Sequence, residues 1–305
     1  LQPSAHKTPL LASVIIPSSG RTGRLEQTLR GLSLQTAQDD QWELIMIDDT
    51  LDGSLGPRAS AFRGSSPLRI VQTRGSGPAA ARNQGAAVAA APLLIFLDDD
   101  CVPSPHWLAA YLEAAQVNPG AVLVGPIHNG FPGHLYAEAY HLLLGYFYRA
   151  HLRNSTRQPF FPAANFAVPR DLFLALRGFE PSLRIAEDRA FSALWRQVGN
   201  PVHPVPEAYV AHLHDLTWRD FIWQQFLYGR GAIQFRRWLR ASDLMRTSGL
   251  HREMFEAPGF YLKLLQSPFA DGLNWRSLLQ LAIIIQAQAA VGLGAICELC
   301  LEPQL

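Results

Sequence analysis

The stretch "LLIFLDDDCVPSP", residues 93–105, runs five apolar residues into three consecutive aspartates and then meets two prolines. Leu93, Leu94, Ile95, Phe96 and Leu97 form a run too short for an independent helix, and its unbroken apolarity fits a strand covered on both faces. Asp98, Asp99 and Asp100 then stand at the carboxyl end of that strand. Neighbouring carboxylates raise one another's pKa unless a cation or a fan of hydrogen-bond donors offsets the repulsion. Two readings stay open on this stretch alone. It is an acidic edge built to receive a cation, or a solvated turn in which Asp100 and Ser104 act as helix-capping residues.

Working outward, the same alternation of apolar run and polar turn recurs. Residues 13–17, "SVIIP", read as a short buried strand, and 24–35 carry Leu25, Leu29 and Leu32 at helical spacing after a Gly/Ser-rich turn. Residues 42–47 give a second strand closing on Asp48 and Asp49, and 68–72 a third. Residues 79–91, nearly all alanine with Arg82, Asn83 and Gln84 inside, form a strong helix former. Strand and helix alternating in this way predict an α/β fold with a mainly parallel sheet and right-handed crossovers. Ligands of such sheets lie outside the carboxyl ends of the strands. Three of these ends hold Pro17 and Ser18, Asp48 and Asp49, and the aspartate triplet, so the acidic ends converge on one crevice.

Composition narrows the class. A chain of 305 residues can bury a large core, and 48% apolar with only 17% charged residues leans toward membrane or partner contact. A net charge of +1 gives no case for nucleic acid. Three cysteines, Cys101, Cys297 and Cys300, cannot build a disulfide framework, which favours a reducing, cytoplasmic compartment. Cys297 and Cys300 form a lone C-x-x-C and read as helix-face residues rather than zinc ligands. The first residues, "LQPSAHKTPLLA", lack the sustained apolar core of a signal peptide. Gly20, Gly23 and Gly31 do not have the G-x-G-x-x-G spacing that a Rossmann dehydrogenase requires.

Five segments, "SVIIPSSGR", "WELIMIDDTLDGS", "GPAAARNQGAAVAAAPLLIFLDDDCVP", "FFPAANFAVPRDLFLALRGFEPSLRIAEDRAF" and "HLHDLTWRDFIWQQFLYGRG", come one after another in the order and approximate spacing of family 2 glycosyltransferases of the GT-A fold. The resemblance spans residues 13–231. It implies an inverting enzyme of the hexosyltransferase type that moves a sugar from a nucleotide-diphosphate donor, a UDP-sugar foremost, to the hydroxyl of a carbohydrate or lipid-linked acceptor. It also implies a divalent cation, Mg²⁺ or Mn²⁺, on the diphosphate. Residues 1–235 would then be the GT-A domain and 236–305 a helical C-terminal extension.

The resemblance assigns roles residue by residue. Pro17, Ser18 and Arg82 line the nucleotide, and Asp49 accepts a hydrogen bond from a uracil N–H. The alternative for Asp49 is turn chemistry with Asp52 and Gly53, and for Arg82 an exposed solubilising arginine. The triplet resembles the D-x-D motif, with Asp100 on the metal, Asp99 on the ribose hydroxyls and Asp98 beside them; hard oxygen ligands suit Mg²⁺ or Mn²⁺. Glu187 and Asp188 resemble the family's Glu-Asp pair, whose aspartate is the general base; the alternative is charge that complements a helix dipole. His212 and His214 come after an apolar strand, where alternation would point both to one face. His212 is preferred as a metal ligand, against the alternative of an ordinary strand histidine. Gln224, Gln225 and Arg230 are expected to wall the acceptor or diphosphate site, or else to line an amphipathic helix. Two departures stand out: "PSSGR" replaces a Thr-Tyr-Asn type of turn, and "DDTLDGS" a shorter Asp-Asp-Gly-Ser form.

Two other functions compete. A nucleotidyltransferase acting on sugar phosphates also sets carboxylates and metal at a sheet edge, and "SSGRTGR" partly fits its basic phosphate loop. A non-catalytic sugar-nucleotide-binding protein would keep the packing but could lose Asp49, Asp100 and Asp188. The aromatic-rich residues 128–154 carry no readable motif and are either acceptor-facing or a packed helix. Residues 278–297 hold no charge and are long enough to cross a bilayer. Gln280, Gln286 and Gln288 disfavour lipid on all sides, however, and Ala289, Ala290, Gly292, Gly294 and Ala295 suit close helix packing. Arg276 precedes this segment, and Glu298 and Glu302 lie beyond it. Peripheral or in-plane membrane association is therefore ranked ahead of a packed helix, and spanning last.

Overall fold

The computed structural model describes residues 9–20, 23–59, 62, 64–152, 160–242, 258–270 and 272–301. Its strands are β1 (Ala12–Ser18), β2 (Trp42–Asp48), β3 (Leu68–Gln72), β4 (Leu93–Leu97), β5 (Cys101–Pro103), β6 (Val122–Val124), β7 (Ile127–Asn129), β8 (Asn165–Pro169), β9 (Val202–Pro204) and β10 (Val210–His212). Its helices are α1 (Leu25–Leu32), α2 (Leu55–Ala59), α3 (Pro78–Val88), α4 (Trp107–Val117), α5 (Leu135–Leu152), α6 (Arg170–Ala175), α7 (Glu187–Gln197), α8 (Trp218–Ala241), α9 (Pro258–Gln266) and α10 (Trp275–Cys300).

The apolar run 93–97 is strand β4, buried along its whole length near the middle of a seven-stranded sheet of order β3-β2-β1-β4-β8-β6-β9. β1 runs parallel to β2 and β4, β2 parallel to β3, and β6 parallel to β9. Only β8 is reversed, antiparallel to both β4 and β6. The register pairs Ser18 with Asp48 and Asp48 with Gln72, so β1, β2 and β3 end level with one another. A second sheet of order β5-β10-β7 starts right after the aspartate triplet, and its antiparallel register sets His212 opposite Cys101.

The chain divides into two compact units. One comprises Leu1–His128, Pro162–Phe179 and Asn200–Leu213, the other Asn129–Phe161, Glu180–Gly199 and His214–Leu305. The boundary expected at residue 235 falls inside α8, which runs unbroken from Trp218 to Ala241. Sequence order hides a division made by segments that leave and re-enter each unit.

The first unit's core explains why the strand ends are held so closely. Phe96 packs against Phe166, Phe173 and Phe179 with ring centroids 5.0, 5.1 and 5.3 Å away. Helix α3 lies tight on the sheet because Gly85 has no side chain: a Cβ there would stand 2.5 Å from Ile15 Cγ2. Asn165, fully buried, ties β8 to α4 and to the loops at Pro126 and Ala208. Its Oδ1 accepts from Trp107 Nε1 at 2.8 Å and Tyr111 O–H at 2.9 Å, and its Nδ2 donates to the Pro126 and Ala208 carbonyls at 3.0 and 2.9 Å. Asn165→Ala strands two donors and two acceptors without water. It is expected to cost about 3–4 kcal/mol, seen as a lower urea midpoint at unchanged slope; an unchanged midpoint would contradict the assigned network.

In the second unit α10 packs along α8 with backbones nearly touching. A Cβ on Gly229 would lie 2.0 Å from the Val291 carbonyl oxygen, and one on Gly294 1.9 Å from that of Phe226. Gly294 thus serves close helix packing and Ala290 is buried, as expected, whereas Ala289 and Gly292 are exposed. Glu298 turns inward to the Arg230 and Arg237 guanidiniums at 2.7 and 3.3 Å. Ile283, Ile284 and Ala287 join Leu143, Leu216, Phe221 and Leu264 in this unit's core. Cys297 and Cys300 are exposed on α10, as helix-face residues should be. Glu302 lies outside the described residues.

Candidate active site

The three aspartates at the end of β4 each meet a different partner. Asp98 Oδ1 accepts from Arg82 Nη2 at 2.6 Å; this arginine is buried, presented by α3, with its guanidinium 5.7 Å from the Phe179 ring centroid. Asp99 Oδ2 accepts from the hydroxyl of Ser18, the last residue of β1, and its carbonyl accepts from Thr28 Oγ1 at 2.9 Å. Asp100 Oδ2 lies 3.4 Å from His212 Nε2, at the end of β10. A cation, a hydroxyl and an imidazole thus divide the repulsion among them, which is how three adjacent carboxylates persist at a half-buried edge.

Asp100, His212 and Cys101 offer ligand atoms that all lie within 4.8 Å of one another. The carboxylate oxygen suits Mg²⁺ or Mn²⁺, cations that keep few protein ligands and complete their shell with water and phosphate, and the imidazole nitrogen beside it favours Mn²⁺ of the two. The Cys101 sulfur differs. Burial, then the charges of Asp100 and Asp98, push its thiol well above the ordinary range, and the side chain belongs to the apolar core. Asp100 and His212 therefore fit a divalent cation such as Mn²⁺, with Cys101 serving packing.

Asp49, after β2, is taken up by the loop after β3. Its Oδ1 accepts from Thr73 Oγ1 at 2.7 Å, Ser76 N at 2.7 Å and Ser76 Oγ at 3.0 Å, and its Oδ2 from Gly77 N at 2.9 Å. Burial pushes this carboxyl up, but the bonds from Thr73, Gly77 and Ser76 outweigh it and hold it below its ordinary value. A depressed folded-state pKa means that this stabilisation is present above the unfolded value and is lost as pH falls through the folded one. Oδ2, with one donor, keeps an acceptor direction for a base N–H. The turn partners expected for Asp49, Asp52 and Gly53, are not the ones it uses: Asp52 instead accepts from Ser54 N at 3.1 Å. Sequence reasoning misses Thr73, Ser76 and Gly77, although "RGSGP" carries a turn signal. Arg74, Gly75 and Gly77 there take positive φ of 54°, 76° and 89°.

Strand β10 ends at His212, so the alternation expected to carry His214 onto the same face does not continue. His214 falls in the second unit, where its ring meets Tyr140 edge-on at 4.8 Å. In that unit Glu187 and Asp188 occupy the first turn of α7, with Glu187 buried and Asp188 Oδ1 accepting from Arg189 N at 2.8 Å. Arg230 turns its Nε to Glu298 and Gln225 is buried within α8, so both serve helix packing. Arg21 and Thr22 of the competing phosphate loop lie outside the described residues.

Ala186, immediately before the Glu-Asp pair, is left-handed with φ 74°. For an L-residue this costs about 1–2 kcal/mol, which glycine would relieve while losing one buried methyl worth about 0.8 kcal/mol. Ala186→Gly is therefore expected to be nearly neutral in urea unfolding. Ala190→Gly, in regular helix one turn on, is expected to cost about 1.5–2 kcal/mol. Equal losses at the two positions would show that residue 186 holds no strain.

A model of glycosyl transferase family 2 matches residues 13–176, which contain β1 to β4, the triplet and β8. The validoxylamine A glucosyltransferase of Streptomyces hygroscopicus subsp. limoneus is 30% identical over 144 residues, 46% of this chain and 32% of that one. The pre-mycofactocin glycosyltransferase of Mycobacterium tuberculosis (strain CDC 1551 / Oshkosh) is 30% identical over 235 residues, 72% of this chain and 46% of that one. The chain thus spans less than half the length of either curated relative. Among solved structures, the mannosyltransferase PcManGT from Pyrobaculum calidifontis, in complex with GDP-Man and Mn²⁺, superposes with a TM-score of 0.57 at 19% identity, covering 94% of this chain and 78% of that one. GalNAc-T7 with UDP, GalNAc and Mn²⁺ gives 0.54 at 17% identity, covering 83% and 57%. The mainly parallel sheet is a GT-A fold, and with more than half of its length under the family model the chain belongs to glycosyl transferase family 2.

Proposed function

We propose that the chain transfers a sugar, a hexose by expectation, from a nucleoside-diphosphate donor to an acceptor hydroxyl, with inversion at the anomeric carbon. The observation that carries this reading is the Asp100–His212 pair at the carboxyl edge of the sheet, beside Asp99 and Ser18. The Mn²⁺ and nucleotides bound in the two solved structures of this fold support it. Asp100 and His212 would hold a divalent cation, which when bound stabilises charge on the departing diphosphate. Asp99 accepts from the ribose hydroxyls, and its hydrogen bond from Ser18 aims the carboxylate. Asp49 Oδ2 accepts from a ring N–H of the base, such as uracil N3–H. Arg82 holds Asp98 and keeps its charge from weakening the neighbouring carboxylates. Asp188 takes the proton from the attacking hydroxyl, so that a single displacement inverts the sugar. The acceptor is proposed to be a carbohydrate or a lipid-linked saccharide.

A thermal-shift screen of UDP-, GDP- and dTDP-sugars, each with Mn²⁺ and with chelator, tests the reading. A donor at about 100 times its Kd adds about 2.7 kcal/mol of stability, so one nucleotide class should raise the melting temperature only when metal is present. A screen in which no nucleotide sugar shifts the transition would refute the donor.

A further inference from the structure

Helix α10 is apolar on its outward face as well as on the face it buries. Its acidic residue, Glu298, is only 6% exposed and faces α8, while Leu293, Ile296 and Leu299 around it are 62%, 59% and 61% exposed. Leu278, Leu279 and Ile285 continue the outward stripe toward the N-terminal end. An ordinary surface helix shows the opposite polarity. The polar side chains of this segment are mostly satisfied within the unit. Ser277 caps the helix with Asn274, Gln280 donates to Glu138 at 3.4 Å, and Gln286 accepts from Trp218 Nε1 at 3.0 Å. A protein partner would be expected to find about one hydrogen bond per 100–200 Å² of interface, and this stripe offers almost none. Hydrocarbon asks for none.

The surroundings point the same way. Over 26 residues the helix is long and apolar enough by length and composition to cross a membrane, so it has apolar surface to spare for a bilayer. Trp275, 75% exposed, with Trp218, Trp223 and Tyr261, supplies the amphipathic rings that favour a membrane–water boundary. Of the seven cations among the described residues of α8, α9 and α10, Arg230 and Arg237 are taken by Glu298 and Arg276 by Glu138, while Arg219, Arg240 and Lys263 are exposed. That charge complements anionic head groups.

We propose that α10 lies in the plane of an anionic lipid bilayer, its outward stripe among the upper acyl chains and the exposed Arg219, Arg240 and Lys263 against the head groups. The glycine contact and the Glu298 clasp keep the opposite face on α8, so the helix rests on the membrane without leaving its unit to cross it.

The test is flotation of the full chain with vesicles of phosphatidylcholine and phosphatidylglycerol, against phosphatidylcholine alone. The intact chain should float with the mixed vesicles and be released by alkaline carbonate, and brominated lipid should quench tryptophan fluorescence. Leu293→Glu with Ile296→Glu, both at exposed positions, should lower partitioning by about tenfold or more at an unchanged melting temperature. Trp275→Phe should remove part of the quenching, a readout independent of how the charged variant folds. Absence of flotation by the intact chain overturns the proposal, and carbonate resistance overturns the in-plane geometry in favour of spanning. A dimer in detergent-free solution that the same double variant splits, with no flotation, assigns the stripe to a second copy instead.

Discussion

Transfer by the Asp188→Asn variant is expected to fall by about two to four orders of magnitude, the scale on which a positioned general base contributes, while donor affinity holds. The amide matches the carboxylate in size, and its oxygen can still accept the Arg189 N–H that Asp188 Oδ1 now accepts. The first turn of α7 therefore keeps its geometry. What is lost is the ability to take a proton, a deficit confined to the transition state, so kcat and kcat/KM should fall together. Steady-state transfer assays beside calorimetric nucleotide binding read the two effects separately. Unchanged transfer would put the base elsewhere. Equal loss of transfer and donor binding would make Asp188 part of the fold or the donor site.

Asp100→Ala is expected to remove the metal-dependent part of donor affinity, about three orders of magnitude if the cation contributes several kcal/mol on the diphosphate. Stability should not suffer. The Asp100 carbonyl, which accepts from Leu213 N at 2.8 Å, is untouched by the substitution, and one of three adjacent like charges disappears. The melting temperature should stay level or rise slightly as donor binding collapses. A variant that binds donor as tightly as the parent with Mn²⁺ would remove Asp100 from the metal site, and one that unfolds would make it a structural residue.

Legibility in the sequence tracks the range of the interactions. β1, β2 and β4 are readable because strands covered on both faces need unbroken apolar runs, and α3 because alanine needs no tertiary partner to favour helix. β4 also announces its own acidic end. The partners of the triplet are not readable, since Arg82 reaches Asp98 across 16 residues and Ser18 reaches Asp99 across 81. Arg82, expected on the nucleotide, also holds Asp98, and Asp49, expected on the base, also organises the loop at 73–77. In both cases the sequence identifies a polar residue at the right edge but does not say which neighbour it meets first. Arg230 is a sharper case. The resemblance suggests a pocket wall, whereas the acid it meets lies 68 residues on. The two-unit division is invisible for the same reason, being made of contacts between segments separated by whole elements.

The central claim, that a divalent cation at the Asp100–His212 edge ties the donor diphosphate to the protein, is tested most directly by calorimetry on the full chain. The nucleoside diphosphate of the class giving the largest thermal shift is titrated into protein with Mn²⁺ and then with chelator. The account predicts affinity at least about a hundredfold tighter with Mn²⁺, consistent with several kcal/mol of cation–phosphate interaction. Equal affinity in the two buffers would contradict it.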